Sequence, residues 1–357
     1  MNTEKILKDL VEIPSTTKDT ESCKKAIQYM ENIAIKNGLK TKILKKNNVY
    51  CLLIAKQLKK KYKVLLNGHL DVVPASDDMF RVRIKDNIMY GRGTSDMKGT
   101  NVAMLLAFLQ IVKENLGDDI LLMFTTDEEL GGFNGMANFI SQGYTSDIAF
   151  IPDGGQLWSV CTDEKGVFHI IFEATGKSAH GSRPWLGDNA VLKLIKVYEN
   201  IQKEFEKKWG LPSNDDNWKP TCNLGSLNGG DNANKVPNNA EMKIDIRYPS
   251  PVTQAVLEKI ILKSLVEGVT WKCISSGSPL SLDIDNIYLK KWNRVVGKKV
   301  IYKKEPGASD GRFLAEKGIP VILTKPISSE PHIDNEWIDL NDLELFKDKI
   351  IEWLRVI

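Results

Sequence analysis

The segment Ile120-Leu121-Leu122-Met123-Phe124-Thr125-Thr126-Asp127-Glu128-Glu129-Leu130-Gly131-Gly132 joins an apolar run to three consecutive acids and a glycine pair. Five apolar residues without alternation read as a strand covered on both faces, the kind found in parallel sheets sandwiched by helices. Acids at the end of such a strand repel one another unless a cation neutralises them. Adjacent glutamates point in different directions, so one can ligate a metal while its neighbour holds a metal-bound water. A solvated acidic loop is the plainer alternative.

Working outward, Leu39–Leu44, Val49–Ala55 and Val64–Leu66 read as strands, and Ile148–Ile151 as another buried one. Helices are predicted from a Thr3 cap to Pro14, over Asp19–Asn37, over Ser95–Leu116 and near Gly135–Ser141. This alternation is α/β: a mostly parallel or mixed sheet with helices on both faces. After about residue 165 the order becomes β-α-β-β-α-β: Val167–Thr175, Asn189–Phe205, Thr221–Leu227, Ala240–Tyr248, Pro251–Val266 and Val269–Ser275. That is the ferredoxin-like split unit. Helix Ile287–Val296, strand Val321–Leu323 and helix Asn341–Leu354 then restore α/β character, and Gly210–Lys219 is the one long loop. The expected architecture is a discontinuous α/β domain, 1–165 and 279–357, with an α+β domain, 166–278, inserted into it. A length of 357 residues suits about two domains of roughly 100–200 residues each.

Composition excludes several classes. Apolar residues at 42% and charged residues at 27% are those of a folded globular chain. A net charge of +3 from 49 basic and 46 acidic residues leaves no basic footprint for nucleic acid. Five dispersed cysteines, Cys23, Cys51, Cys161, Cys222 and Cys273, show no C-x-x-C spacing and read as reduced thiols. The N-terminal segment lacks an apolar signal core, and the longest apolar stretch, Val102–Val112, is too short to span a bilayer. A cytoplasmic protein with no membrane partner is expected.

The acid-ended strand is not alone. Leu65-Leu66-Asn67-Gly68-His69-Leu70-Asp71 ends a strand in His-x-Asp, where side chains two apart share a face and Asp71 can receive the second ring N–H of His69. A surface histidine near a turn is the alternative. Gly91-Arg92-Gly93-Thr94-Ser95-Asp96-Met97-Lys98-Gly99 is a glycine-rich turn opening a helix with an acid at its start. Its glycines fit neither G-x-G-x-x-G nor G-x-x-x-x-G-K-[ST], which argues against a nucleotide-binding oxidoreductase. Asp96 would also repel a phosphate; a metal-bridging carboxylate fits better than a phosphate cradle, and a simple helix cap is the other reading. Ile151-Pro152-Asp153-Gly154-Gly155 repeats strand, acid and glycine, and Glu330-Pro331-His332 follows the late strand. Ligand-type residues thus gather where α/β sheets bind, outside the carboxyl ends of the strands. His69, Asp96, Glu129, Asp153 and His332 form a nitrogen and oxygen donor set without thiolates, suited to two zinc ions bridged by a carboxylate, with cobalt and manganese not excluded.

The blocks NGHLDVVP, GRGTSDMKG, TTDEELGG, IPDGG, DEKG, GKSAHGSRPWLGDNA, NGGDNANKVPNNA, DIRY, GASDGRF and PHIDNE, in this order, resemble the aminoacylase, acetylornithine deacetylase, succinyl-diaminopimelate desuccinylase, carboxypeptidase G and dipeptidase family of dinuclear zinc hydrolases. The resemblance implies a zinc-peptidase-like mixed-sheet catalytic domain with an inserted lid and dimerisation domain. It implies two Zn2+ per subunit: His69 and Asp153 on one, Asp71 behind His69, Glu129 and His332 on the other, and Asp96 bridging. It makes Glu128 the general base and acid, His180 an oxyanion donor in the partner subunit's site of a homodimer, and the Asp96–Met97 peptide bond cis. Asn234 and Arg247, with backbone around Gly307, Ala308 and Ser309, would bind the substrate carboxylate. A non-catalytic relative would have lost ligands or the base, and none is missing.

The implied activity is that of a metallopeptidase or deacylase acting on a small peptide or N-acyl amino acid. Asp153 stands where the deacylases of the family usually carry Glu, and Ala308 where desuccinylases usually carry Thr. Both lean toward a dipeptidase or aminopeptidase, with an N-acyl-amino-acid deacylase as the alternative. His169 matches none of the blocks and is expected to be structural or superficial.

Overall fold

The computed structural model describes residues 2–214, 217–297 and 299–357; residues 215 and 216 of the loop expected at Gly210–Lys219 lie outside them. The chain divides into two compact units: Met1–Asp163 with Ser281–Glu305 and Ser309–Ile357, and Glu164–Leu280 with Pro306–Ala308.

The first unit is built on a mixed sheet. Its strands run in the order Lys40–Lys46, Val49–Ala55, Ile120–Thr125, Lys61–His69, Thr145–Ile151, Val321–Leu323, Val160–Glu164, with Tyr302–Glu305 paired to the last. Ile120–Thr125, Lys61–His69, Thr145–Ile151 and Val321–Leu323 are mutually parallel, so their carboxyl ends share one edge. Every residue of Ile120–Thr125 is buried, as its unbroken apolar run requires. The register His69↔Thr125 and Leu323↔Ile151 aligns the segments that follow. Helix Gly99–Lys113 is buried on nearly all sides, and Leu340–Val356 packs with it into the same core. Phe150, Trp158, Trp292, Phe346 and Trp353 interlock there, with ring centroids 4.9–6.4 Å apart.

Three local expectations are corrected. Asn2, not Thr3, caps the first helix, its side chain accepting the Lys5 N–H at 3.0 Å. The helix expected from Ser95 starts at Gly99, because Asp96 (φ −131°, ψ 91°) and Met97 (φ −131°, ψ 32°) leave helical angles. The helix expected from Pro251 runs Gln254–Ser264. The Asp96–Met97 peptide bond is cis.

In the second unit the strands Thr221–Gly229, Asn239–Tyr248, Gly166–Thr175 and Val269–Gly277 lie side by side in that order, all antiparallel. In chain order this is second, third, first, fourth, the ferredoxin-like arrangement. Helices Ala190–Trp209 and Gln254–Ser264 bury one face of the sheet, with Phe168, Ile170, Phe172, Met242, Ile244 and Ile246 in the core. Alternation then puts His169, Asp245 and Arg247 on the other face. No disulfide joins the cysteines, and no helix among the described residues is long and apolar enough to cross a membrane.

Candidate metal centre

At the carboxyl edge of the parallel strands, two imidazoles and four carboxylates converge. His69 Nε2 lies 3.1 Å from Asp96 Oδ1 and 3.8 Å from Asp153 Oδ2. His332 Nε2 lies 3.2 Å from Asp96 Oδ2 and 3.2 Å from Glu129 Oε2. Asp96 therefore stands between the two histidines, one oxygen toward each. One ligand atom from each of His69, Glu128 and Asp153 lies within 4.8 Å of the others, and so does one from each of His69, Asp96 and Glu129.

The surrounding chain explains why these side chains stay put. His69 is buried, and its Nδ1 lies 2.8 Å from the main-chain carbonyl of Asp71, against 3.6 Å from the Asp71 carboxylate. The second ring nitrogen is thus nearest the backbone carbonyl, with the Asp71 carboxylate, read as its partner from His-x-Asp, still within ion-pair range. The Asp71 carboxylate instead accepts from Thr17 Oγ1 at 2.8 Å and from the N–H groups of Glu128 and Glu129 at 3.3 and 3.2 Å. It fixes the turn that carries the two glutamates.

Thr17 is itself held, its N–H donating to the Val72 carbonyl at 3.3 Å. Ser15 Oγ donates to the Leu70 carbonyl at 2.6 Å, and the buried Lys98 ammonium donates to the carbonyls of Leu10 and Ile13 at 3.1 and 2.8 Å. Burial pushes that lysine down to about 7. Asp96 is pinned through its neighbours: Glu336, fully buried, accepts the N–H groups of Ser95 and Asp96 at 2.8 and 3.0 Å and the Arg92 guanidinium at 2.7 Å. Asn101 donates to the His69 carbonyl, and Gly68 is what lets it approach; a Cβ there would stand 1.9 Å from Asn101 Oδ1. On the other side, Gly155 N–H donates to Glu305 at 2.8 Å and holds the turn after Asp153.

The electrostatics are those of a site assembled for cations. Burial pushes the Glu128 carboxyl well above its ordinary range and raises Asp153 to about 6, with the Asp96 charge adding to the second shift. Burial opposes ionisation of Asp96, yet hydrogen bonds from His332 and His69 hold it well below the usual carboxylate range. The bonds from Asp96 and Glu129 lift His332 to about 10. His69 is lifted well above its usual value by Asp153, Asp71 and Asp96 despite its burial. Behind the glutamates, burial raises Asp127 to about 6 and Asp310 to about 7, and each keeps a buried Oδ1 with no hydrogen-bond partner. Two imidazoles facing carboxylates, without thiolates, fit a pair of borderline cations such as zinc.

Seven of the residues singled out in sequence meet here: His69, Asp71, Asp96, Glu128, Glu129, Asp153 and His332. Ser309, buried, lies in the same unit, where its Oγ accepts the Gly311 N–H at 3.2 Å. His180, Asn234, Arg247, Gly307 and Ala308 belong to the second unit. There the His180 ring bonds Ser182 Oγ at 2.8 Å, and Gly181 N–H donates to the Asn234 carbonyl at 2.6 Å. Sequence reading missed Thr17, Lys98, Arg92, Glu336 and Lys325. Lys325 is 2% exposed, and its charge favours ionised Asp96 and Asp153. Its position two residues beyond a buried strand was the available signal.

Residues 65–348 match peptidase family M20/M25/M40. A probable succinyl-diaminopimelate desuccinylase of Staphylococcus epidermidis is 28% identical over 327 residues, covering 82% of this chain and 80% of that protein. The crystal structure of an M20 family metallo-carboxypeptidase from Sulfolobus solfataricus superposes with a TM-score of 0.80 at 19% identity, over 99% of both chains. A Bacillus subtilis dinuclear metal-binding peptidase from the M20 family superposes with a TM-score of 0.65 at 14% identity, over 99% of this chain and 97% of that one. The chain belongs to peptidase family M20/M25/M40 and is a hydrolase of that family.

Proposed function

We propose that this M20/M25/M40 hydrolase holds two zinc ions and cleaves an amide or peptide bond in a small substrate bearing a free carboxylate. The observation that carries the reading is Asp96, one oxygen toward His69 and the other toward His332, with Asp153 and Glu129 on the respective sides. His69 and Asp153 would hold one ion, Glu129 and His332 the other, and Asp96 both. When bound, the ions acidify the attacking water and polarise the scissile carbonyl.

Glu128 takes the water proton and delivers it to the leaving nitrogen; burial raises its carboxyl and so makes the carboxylate a stronger base for the first transfer. Its carboxylate also lies at ligand range, so its role as base rests on the family resemblance rather than on distance. His180 donates to the developing oxyanion in the partner subunit's site, the second unit serving as lid and dimerisation domain of a homodimer. Arg247 grips the substrate carboxylate, with Asn234 and the backbone of Gly307, Ala308 and Ser309 beside it. A cytoplasmic location accords with this role.

Asp153 and Ala308 favour a dipeptidase or aminopeptidase-like metallopeptidase, and the similarity to a metallo-carboxypeptidase supports a peptide substrate. An N-acyl-amino-acid deacylase is the second reading, favoured by the similarity to a probable desuccinylase. The test is a panel of dipeptides and N-acyl amino acids assayed with and without chelator. Chelator-sensitive cleavage of dipeptides supports the first reading, cleavage of acyl amino acids alone the second, and activity indifferent to chelator neither.

A further inference from the structure

On the helix-free face of the second unit's sheet, a polar row crosses all four strands. The register places Asn223 opposite Asp245, Asp245 opposite His169, and His169 opposite Ser275. Ser275 owes its place to a β-bulge: the pairing shifts between Cys273 and Ser275, so the hydroxyl faces His169 where an unbroken ladder would bring Ile274. His169 Nδ1 lies 2.9 Å from Ser275 Oγ, and its Nε2 lies 3.1 Å from Asp245 Oδ1. Asp245 in turn accepts Arg247 Nε at 2.9 and 3.1 Å.

These bonds are mutually consistent in one proton arrangement. Ser275 donates to Nδ1, the imidazole donates from Nε2 to Asp245, and Arg247 donates from Nε to the same carboxylate. The sequence Ser–His–Asp does not make Ser275 a nucleophile here, because Arg247 already neutralises the carboxylate that would have to stabilise an imidazolium. The consequence falls on Arg247. It spends its Nε edge on Asp245, which leaves the two Nη groups as a fork. In its own row Arg247 neighbours only Thr221, Val167 and Gly277, none of which carries a charge to compete for that fork. The three side chains are one-third exposed, at 37%, 33% and 30% for His169, Asp245 and Arg247. A lone arginine at that exposure would sample several rotamers, and an incoming carboxylate would have to immobilise it.

We propose that His169, backed by Ser275, is a positioning residue that locks Asp245 and thereby presents the Nη fork of Arg247 ready-made to a substrate carboxylate, so that the enzyme selects free acids over their amides. This rests on the reading of Arg247 as the carboxylate ligand given above.

Two measurements on the full-length zinc-loaded protein test it, using His169→Leu, which removes both bonds, and His169→Gln, which keeps a donor toward Asp245. The first needs no activity: the Arg247 Nε–H signal of Nε-15N-arginine-labelled protein, identified by its loss in Arg247→Lys. Its hydrogen exchange should accelerate about tenfold in His169→Leu and return to within about twofold of wild type in His169→Gln. The second compares kcat and KM on a dipeptide, an N-acetyl amino acid and the C-terminal amide of each. His169→Leu should raise KM about tenfold for whichever acid is cleaved, with kcat and the amide's kcat/KM nearly unchanged, and His169→Gln should restore KM. Unaltered exchange in His169→Leu overturns the proposal, as does an equal loss on acid and amide. If the wild type cleaves none of the panel, the proposed function fails, and the exchange measurement still decides whether His169 positions Arg247.

Discussion

Loading the metal-free protein with zinc should release protons, and the number can be worked from the site. His332 is held at about 10 by Asp96 and Glu129, so at pH 7 it carries a proton. His69 too is held above its usual value by Asp153, Asp71 and Asp96, against its burial. In both rings Nε2 faces the carboxylates, 3.1 Å from Asp96 for His69 and 3.2 Å from Asp96 and Glu129 for His332. A ligating imidazole must be neutral at the coordinating nitrogen, so on zinc binding His332 should shed about one proton per chain at pH 7. Burial also favours the protonated form of Glu128. Apparent affinity at the site that His332 serves should then rise about tenfold per pH unit between pH 6 and 8. The assay is calorimetry of zinc into chelator-stripped protein at one pH, in buffers of differing ionisation enthalpy, where the slope of observed heat gives the proton count. In His332→Gln the count should fall by about one, whatever Glu128 does. An unchanged count in that variant, or heats independent of buffer in the wild type, would refute the pairing of His332 with Asp96.

Three further outcomes are expected. Glu128→Gln should keep zinc binding by elemental analysis while kcat falls about 10²- to 10⁴-fold; a variant within tenfold of wild type would remove Glu128 as general base. In the metal-free protein His332 stabilises the fold where its charge is paired. That contribution is complete below the ordinary histidine value of 6.5 and is lost as pH rises through about 10. Urea midpoints of wild type and His332→Gln should therefore differ most at pH 6 and converge above pH 10, and a gap that widens with pH has the wrong sign. Phe346→Ala opens a cavity among Phe150, Trp158 and Trp292, whose centroids lie 6.1, 5.2 and 5.8 Å away. It should cost about 3–5 kcal/mol and lower Tm by about 10 °C, and a shift below about 2 °C would mean the cluster is not part of the cooperative core.

The sheet was legible because its central strands carry unambiguous signals. Ile120–Phe124 is apolar throughout and buried throughout, Thr145–Ile151 ends in an apolar run before Pro152, and Lys61–His69 carries the buried run Val64–Leu66. The strands that escaped notice are short, such as Arg83–Lys85, Ile88–Tyr90 and Trp337–Asp339, or mixed in polarity, such as Val160–Glu164. Three residues give no period to read, and their pairing is settled by contacts remote in sequence. The same distinction runs through the site. His69, Asp96, Glu129, Asp153 and His332 could be picked out because each follows an apolar strand or a glycine turn. Their supports could not: Thr17 meets Asp71 across 54 residues, and Arg92 meets Glu336 across 244. The helix expected from Ser95 overran for a related reason. The local sequence favours helix, but Glu336 draws the Ser95 and Asp96 N–H groups to itself and holds that stretch outside the helix.

The proposed hydrolytic site works through two metal ions joined by Asp96. It is tested most directly by titrating chelator-stripped, full-length protein with zinc while following cleavage of the best substrate in the panel. Activity should be absent without metal and recover on addition, with a break in the titration near two equivalents per chain and Asp96→Asn unable to recover at any zinc concentration. Full activity in the stripped protein, or an Asp96→Asn variant that recovers like wild type, would contradict it.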